Sequence, residues 1–269
     1  MQDDFLIFKR QIAPWVKVDL DQYKPRQMER RIRSMMTRAK LDTLEAYYEL
    51  LKADPNRLRE FIDGLTINVS EFFRNPEKFE ELEREVLPDL LSRFDRLRIW
   101  SAGCSSGAEL TSVAIQLDRL EALDRAELIG TDIDRGILDR ASDGLYLPYE
   151  LKNLSDADLD RYFTPVEGRG IEAGSVRLRP EWRRRLTYKS QNLLEDPPLS
   201  SCHLILCRNV VIYFTQESKD KLYRAFYHTL EPGGILFIGG TERILDYRDM
   251  GFSQPRPFFY SKPLSGGTP

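Results

Sequence analysis

The sequence predicts an α/β protein in two parts: a small all-helical N-terminal domain, and a larger domain built on a mostly parallel sheet with helices on both faces. Three observations lead there. Up to about residue 96 every credible element has helical periodicity, and beyond it short apolar runs alternate with amphipathic stretches. The last two apolar runs, Ile235–Gly239 and Pro257–Ser261, stand too close for a helical crossover. The final strand is therefore expected to be antiparallel, which makes the sheet mixed.

The 269 residues suffice for two domains, each with its own core. We divide them into a helical domain at 1–75, a linker helix at 76–95 and a second domain at 96–264. Between Lys24 and Lys40 seven basic residues face one acid, Glu29, within a chain whose net charge is −3. Pro25 suits the first turn of a helix there. Met28, Ile32, Met35, Met36 and Ala39 recur at helical spacing and form its buried stripe. Arg26, Arg30, Arg33 and Lys40 fall on the opposite face, and such one-signed charge calls for an acidic partner. Further helices are expected at Thr43–Ala53, Asn56–Asp63 and Pro76–Arg93.

In the second part the strands are Leu97–Ala102, Ala126–Thr131, Leu186–Ser190, Leu204–Cys207 and Ile235–Gly239. Helices fill Glu109–Leu123, the stretch between Asp132 and Ser142, and Ser218–Leu230. Residues 145–185 interrupt the alternation. With Tyr162-Phe163, the glycines Gly168, Gly170 and Gly174, and the alternating Val176-Arg177-Leu178-Arg179, they read as a small inserted subdomain, part helix and part hairpin.

Composition excludes several classes. A hydrophobic share of 41% against 31% charged residues fits a globular chain. No apolar run is long enough to span a membrane, and the acidic Met1-Gln2-Asp3-Asp4 start lacks a signal core. Three cysteines (Cys104, Cys202, Cys207) fit a reducing cytoplasm, and two histidines (His203, His228) leave no zinc cluster. The charge balance gives no nucleic-acid footprint.

Three stretches carry chemistry. Trp100-Ser101-Ala102-Gly103-Cys104-Ser105-Ser106-Gly107 follows a strand and opens a helix, where glycines let a ligand approach the backbone. Asp132 ends the next strand, the place from which a carboxylate accepts bonds from both ribose hydroxyls of a nucleoside. Together they point to an adenosine-containing cofactor. NAD is less favoured, because the spacing of Gly103 and Gly107 departs from its glycine fingerprint. Thr66 to Asn75 combines amide, hydroxyl, aromatic and guanidinium groups. Cys207-Arg208-Asn209-Val210-Val211-Ile212-Tyr213-Phe214 follows a buried strand, at the carboxyl edge of the sheet.

On these residues the chain resembles the chemotaxis-receptor glutamate methyltransferases, the CheR family, over nearly its whole length. The matching blocks are Ile67-Asn68-Val69-Ser70-Glu71-Phe72-Phe73-Arg74, Ile99 to Ser105, Thr131-Asp132-Ile133-Asp134, Gln191-Asn192-Leu193-Leu194 and Cys207 to Phe214. The Leu230-Glu231-Pro232-Gly233-Gly234 turn is shared more widely among methyltransferases. The resemblance implies a Rossmann-like domain dependent on S-adenosyl-L-methionine, with S-adenosyl-L-homocysteine as product, no metal, and a small β-rich insertion.

It further implies that Asn68, Ser70 and Arg74 reach the cofactor, with Gly103 in the loop beneath it. Asp132 would hold the ribose, and Asn192, Leu193, Asn209 and Val210 would surround the adenine and methionine portions. Arg74 and Tyr213 would border the transferring methyl. Ala108 stands where the family has a cofactor-contacting glutamate. The implied partners are the cytoplasmic domains of methyl-accepting chemotaxis receptors, docked by Arg26, Arg30 and Arg33, with no nucleic acid, no membrane insertion and a monomeric protein in the cytoplasm.

Two rival readings stand beside this one. Asp196-Pro197-Pro198-Leu199 is similar to the loop of nucleic-acid amino methyltransferases, but it lacks the stacking aromatic and precedes its strand, so it reads as a proline-rich turn. A module that binds cofactor or receptor without transferring a methyl, or a methyltransferase with another substrate, completes the alternatives.

Overall fold

The structure, a computed structural model, describes residues 2–16, 19–65 and 70–264. The chain packs as two compact units: residues 1–67 with 213–221, and residues 68–212 with 222–269.

The first unit is built from helices α1 (Gln2–Ile12), α2 (Pro25–Arg38), α3 (Leu44–Ala53) and α4 (Pro55–Leu65). Pro25 opens α2, and the Thr43 hydroxyl caps α3 by accepting the Ala46 N–H at 3.2 Å. The stripe Met28, Ile32, Met35 and Met36 is buried, as its spacing predicts. Helix α1 was not among the expected elements. Its Phe5, Phe8 and Ile12 recur at helical spacing and are buried, and Phe8 stacks on Tyr47 and meets Phe61 edge-on, each at 6.0 Å. The segment 213–221 joins this unit through paired main chains: Lys24 N–H donates to the Tyr213 carbonyl and Thr215 N–H to that of Gln22, both at 2.9 Å.

The second unit begins with one continuous helical stretch. It comprises α5 (Pro76–Glu81), a π-helical turn over Leu82–Val86, and α6 (Leu87–Arg93). Phe79, Leu82, Val86, Leu87 and Leu90 are buried in this unit's core, so the stretch expected as a linker is part of the packed domain. A seven-stranded sheet follows: β1 (Leu97–Ala102), β2 (Ala126–Asp132), β6 (Leu186–Ser190), β7 (Cys202–Cys207), β8 (Leu230–Ile238), β9 (Ser253–Arg256) and β10 (Phe259–Ser261), in the order β6-β2-β1-β7-β8-β10-β9. The first five in that order are parallel, and β10 runs antiparallel to β8, as expected. The edge strand β9 was not expected; it is polar, largely exposed and contains Pro255, so it offers no apolar run to read. Helices α7 (Ala108–Arg119), α8 (Arg135–Asp143) and α11 (Gln216–Thr229) make the connections.

The insertion is a separate three-stranded antiparallel sheet, ordered β3 (Leu145–Tyr146), β5 (Val176–Leu178), β4 (Phe163–Pro165), with short helices α9 (Asp156–Tyr162) and α10 (Pro180–Arg183). The fully buried Glu150 fastens it. Its carboxylate takes the Arg140 guanidinium at 2.9 Å and the Leu147 N–H at 2.9 Å.

Candidate functional site

The strand order reverses between β1 and β7: the chain runs outward from β1 through β2 to β6, then returns to the other side of β1. Open α/β sheets hold ligands beyond the carboxyl ends of the strands at such a point. Here the ends of β1, β2, β6 and β7 carry most of the residues singled out in the sequence.

The loop after β1 is shaped by its glycines. Gly103 (φ +80°) and Gly107 (φ +81°) adopt left-handed backbone, and a Cβ on Gly103 would stand 2.6 Å from Val210 Cγ2. This close approach fixes two predicted cofactor residues, Gly103 and Val210, against each other across neighbouring parallel strands. The Gly103 and Cys104 N–H groups both donate to the Thr131 carbonyl, at 2.8 and 2.9 Å. Burial pushes the Cys104 thiol well up and Asp132 adds to the shift, so the sulfur stays protonated and fills space.

Asp132 closes β2 and is buried to within 8% exposure. One carboxylate oxygen accepts the Ser105 N–H at 2.9 Å, the other that of Asp134 at 3.1 Å. Burial raises its pKa, while the backbone N–H bonds of Asp134 and Ser105 pull it back. The Asp132 carbonyl takes the Gln191 N–H at 2.9 Å, which brings Gln191 to the same edge, directly before Asn192 and Leu193. Asn192 Oδ1 accepts the Leu194 N–H at 3.1 Å, and Asp196 accepts the Asn192 N–H at 2.7 Å, closing the proline-rich turn.

At the end of β7, Asn209 has left-handed backbone (φ +60°). A buried carboxylate holds this turn: Glu242 accepts N–H bonds from Asn209 at 2.9 Å, Gly239 at 2.7 Å and Val211 at 3.2 Å. Burial raises its pKa against those three bonds. Arg208, one residue earlier, has an almost fully buried side chain between the rings of Phe79 and Phe237, at 5.1 and 4.5 Å. It donates to the Arg74 carbonyl at 2.7 Å, to Asn75 Oδ1 at 2.9 Å and to Glu109 at 3.3 Å. The other Glu109 oxygen accepts the Ser101 hydroxyl at 2.8 Å. Ala108, in the place of the family's glutamate, is fully buried in the apolar core.

Ser70 and Arg74 are half-buried on a segment tied down along its length. Phe72 N–H donates to the Glu150 carbonyl at 2.9 Å, Asn153 to the Phe72 carbonyl at 3.0 Å, and Phe73 N–H to Ser112 Oγ at 3.0 Å. Phe73 (φ +48°) and Asn75 (φ +62°) flank Arg74 in left-handed backbone, a conformation that costs a non-glycine residue ~1–3 kcal/mol.

The second unit thus brings together Gly103, Asp132, Asn209 and Val210, with Asn192 and Leu193 on the turn beyond β6 and Arg74 tethered through Arg208. Tyr213 is grouped with the first unit, where Arg26 and Arg30 are exposed on α2. Arg33 is bonded to Asp4 at 3.0 Å and to Glu29 at 2.9 Å. Asn68 lies outside the described residues. Sequence reasoning missed Glu242 and gave Arg208 no role.

The edge fits a nucleoside ligand. Among the described residues, Ser105 Oγ, Ser106 Oγ, Gln191 Oε1 and Asn209 Oδ1 are buried side-chain oxygens without a hydrogen-bond partner. Such atoms are normally satisfied, so the amide oxygens suit the hydroxyls and exocyclic amine of an adenosine moiety, and the serine hydroxyls its ring nitrogens. Among the described residues no cluster of His, Cys, Asp and Glu is arranged to hold a metal ion, and no helix is long and apolar enough to cross a membrane.

Comparison with known proteins places the chain in a family. Residues 68–255 match the family model "CheR methyltransferase, SAM binding domain", and residues 3–66 match "CheR methyltransferase, all-alpha domain". A chemotaxis protein methyltransferase of Listeria innocua is 39% identical over 265 residues, covering 97% of this chain and 98% of its own. Chemotaxis protein methyltransferase 1 of Pseudomonas aeruginosa is 31% identical, covering 91% of this chain and 92% of its own. The Salmonella typhimurium chemotaxis protein methyltransferase is 37% identical over 75% of this chain and 70% of its own. With both domain models matched in order and similarity running over nearly its full length, the chain belongs to the CheR methyltransferase family.

Proposed function

We propose that this chain transfers the methyl group of S-adenosyl-L-methionine to glutamate side chains of chemotaxis receptors, forming methyl esters and leaving S-adenosyl-L-homocysteine. The observation that carries the reading is the 39% identity, over nearly the whole of both chains, to proteins named chemotaxis protein methyltransferase. The bound cofactor supplies an electrophilic methyl on a sulfonium.

A carboxylate acceptor suits this site because it needs no base. A glutamate, with a reference pKa of about 4.3, is already an anion at neutral pH. Neither histidine stands at the carboxyl edge. His203 lies near the start of β7, where its Nδ1 accepts the Arg98 N–H at 2.9 Å, and His228 is in the last turn of α11. The carboxylates of the edge are engaged: Glu242 by three backbone N–H groups, Asp132 by two, and the half-buried Glu109 by Ser101 and Arg208.

What the chain's residues do is bind, orient and exclude water. Asp132 accepts the ribose hydroxyls. Gly103, Asn192, Leu193, Asn209 and Val210 line the cofactor, with Asn68 and Ser70 reaching it from the preceding segment. Arg74 steadies the acceptor carboxylate, and Tyr213 orients it through its hydroxyl. Alignment of this kind contributes up to about 7–11 kcal/mol to a bimolecular transfer. Arg26, Arg30 and Arg33 of α2 dock the acidic receptor surface.

Incubation with labelled S-adenosylmethionine and receptor-containing membranes tests the proposal. The expected product is membrane-bound label released as methanol by mild base. Label that resists base would identify another acceptor atom, and no transfer would leave a binding module.

A further inference from the structure

We propose that Arg208 is a positioning residue that acts through Arg74, holding the Arg74 peptide so that its side chain stands where methyl transfer needs it. The inference rests on the reading of Arg74 as a residue that borders the transferring methyl.

The geometry around Arg74 is specific. Left-handed residues on both sides, Phe73 and Asn75, force the backbone into a double kink. Such backbone persists only where its surroundings over-determine it. Before the kink the surroundings are the Ser112 hydroxyl on the Phe73 N–H, with Phe72 pinned at both its N–H and its carbonyl. After the kink they are Arg208: one terminal nitrogen donates to the Arg74 carbonyl and to Asn75 Oδ1, and the other reaches Glu109.

A buried guanidinium is a costly way to fill a core. An apolar side chain of similar volume often serves stability as well. What an apolar residue cannot do is present a rigid fork of donors to a carbonyl, an amide oxygen and a carboxylate at once. Two phenylalanine rings and Glu109 fix the plane of that fork. The Ser101 hydroxyl in turn fixes Glu109 from the end of β1. The chain of contacts therefore runs from the central strand, beside the glycine loop, to the main chain of Arg74.

A double-mutant cycle on the full-length protein separates this role from simple stabilisation. Arg208→Lys keeps the charge beside Glu109 but replaces the fork with a point donor. It is expected to lower kcat for receptor methylation by about ten- to a hundredfold, with KM for receptor changed less than about threefold. Combined with Arg74→Ala, it is expected to cost no more than about a further twofold, since the residue it positions is gone. Additive losses, or a normal kcat in a folded Arg208→Lys variant, overturn the inference while leaving Arg74 in its role. Full activity of Arg74→Ala overturns the reading of Arg74 itself, and this inference with it. Should Arg208→Lys fail to fold, Asn75→Gly keeps the left-handed backbone and removes one acceptor of the fork. Its expected loss of about threefold must likewise vanish in the Arg74→Ala background, and persistence there overturns the inference.

Discussion

The carboxyl edge of the sheet and the outward face of α2 both rely on charged side chains, and they use them in opposite ways. At the sheet edge, Asp132, Glu242, Glu109 and Arg208 are withdrawn from water and bonded to backbone groups or to one another. On α2, Arg26 and Arg30 are exposed, and among the described residues they make no ion pair. A buried charge held by bonds is worth its desolvation only because it fixes geometry, and removing its partners is expensive. An exposed charge fixes nothing, but it acts at a distance and yields to salt. On the proposed function, the first region places a small ligand and the second meets a large one.

The strongest way to break this comparison is Glu242→Ala. It strands three buried N–H groups, on Asn209, Gly239 and Val211, each costing about 1–3 kcal/mol when unpaired. With some water entering, the net loss of stability is expected to be ~3–5 kcal/mol by urea unfolding, and cofactor affinity should fall as the Asn209–Val210 turn loosens. Glu242→Gln keeps the shape but turns a donor toward one of those N–H groups, so a smaller loss is expected. If Glu242→Ala unfolds within about 1 kcal/mol of the parent, the carboxylate is not what holds the turn.

Why Glu242 escaped the sequence reading is instructive. Its partners at Asn209 and Val211 lie 33 and 31 residues away, and nothing local marks a glutamate in Thr241-Glu242-Arg243 as buried. The Arg208–Arg74 bond spans 134 residues. By contrast, the glycine loop and Asp132 were legible because both sit at strand ends, where the apolar run itself gives the position. The central strands β1 and β7 were legible for the same reason: buried on both faces, they are nearly continuous apolar runs, unlike the edge strand β6. Helix α1 carried a readable signal in Phe5, Phe8 and Ile12, whereas the π-turn at Leu82–Val86 keeps helical spacing and left none. Ala108 was read as a missing contact; its burial in the core shows what the small side chain does here.

An intermediate effect is expected at Asp132, where burial and ligand pull against each other. On the proposed binding mode, Asp132→Ala removes a charged acceptor from two ribose hydroxyls, each bond worth about 1.5–3 kcal/mol. Affinity for S-adenosylmethionine should fall by about a hundredfold or more, and unchanged affinity by calorimetry in a folded variant would remove Asp132 from the site. The pH dependence sharpens this. Because the folded pKa is raised above the unfolded one, mainly by burial, this group's contribution to stability is full below the unfolded pKa and is lost as pH rises through the folded pKa. Binding has the opposite sign, since the ribose needs the charged form. Cofactor affinity should therefore weaken as pH falls into the acid range above the ordinary carboxylate value of about 3.9. In Asp132→Asn that dependence should flatten, and a parallel decline in both proteins would place the titrating group elsewhere.

The smallest effect belongs to α2, and its signature is ionic strength rather than size. Exposed pairs contribute about 0–1 kcal/mol each and are screened over about 8 Å at physiological salt. Reversing two of them by Arg26→Glu with Arg30→Glu should raise KM for receptor by about five- to tenfold at low salt, with cofactor affinity and kcat within about twofold. The penalty should shrink steeply as salt is added, because it is a change in encounter and not in fit. Arg33 provides the internal contrast. Its guanidinium is already bonded to Asp4 and Glu29, and those acids raise its pKa, so part of its charge is spent within the unit. Arg33→Ala should therefore change KM less than either exposed reversal, and its cost should show instead as a modest loss of helix stability, about 0.3–1 kcal/mol. Measured side by side at two salt concentrations, Arg33→Ala should show a smaller salt-dependent penalty than the Arg26 and Arg30 double reversal. If Arg33→Ala matches the exposed reversals, its bonds to Asp4 and Glu29 do not spend its charge. If the double variant methylates receptor normally at both concentrations, the outward face of α2 does not dock the receptor and is a solvated helix surface.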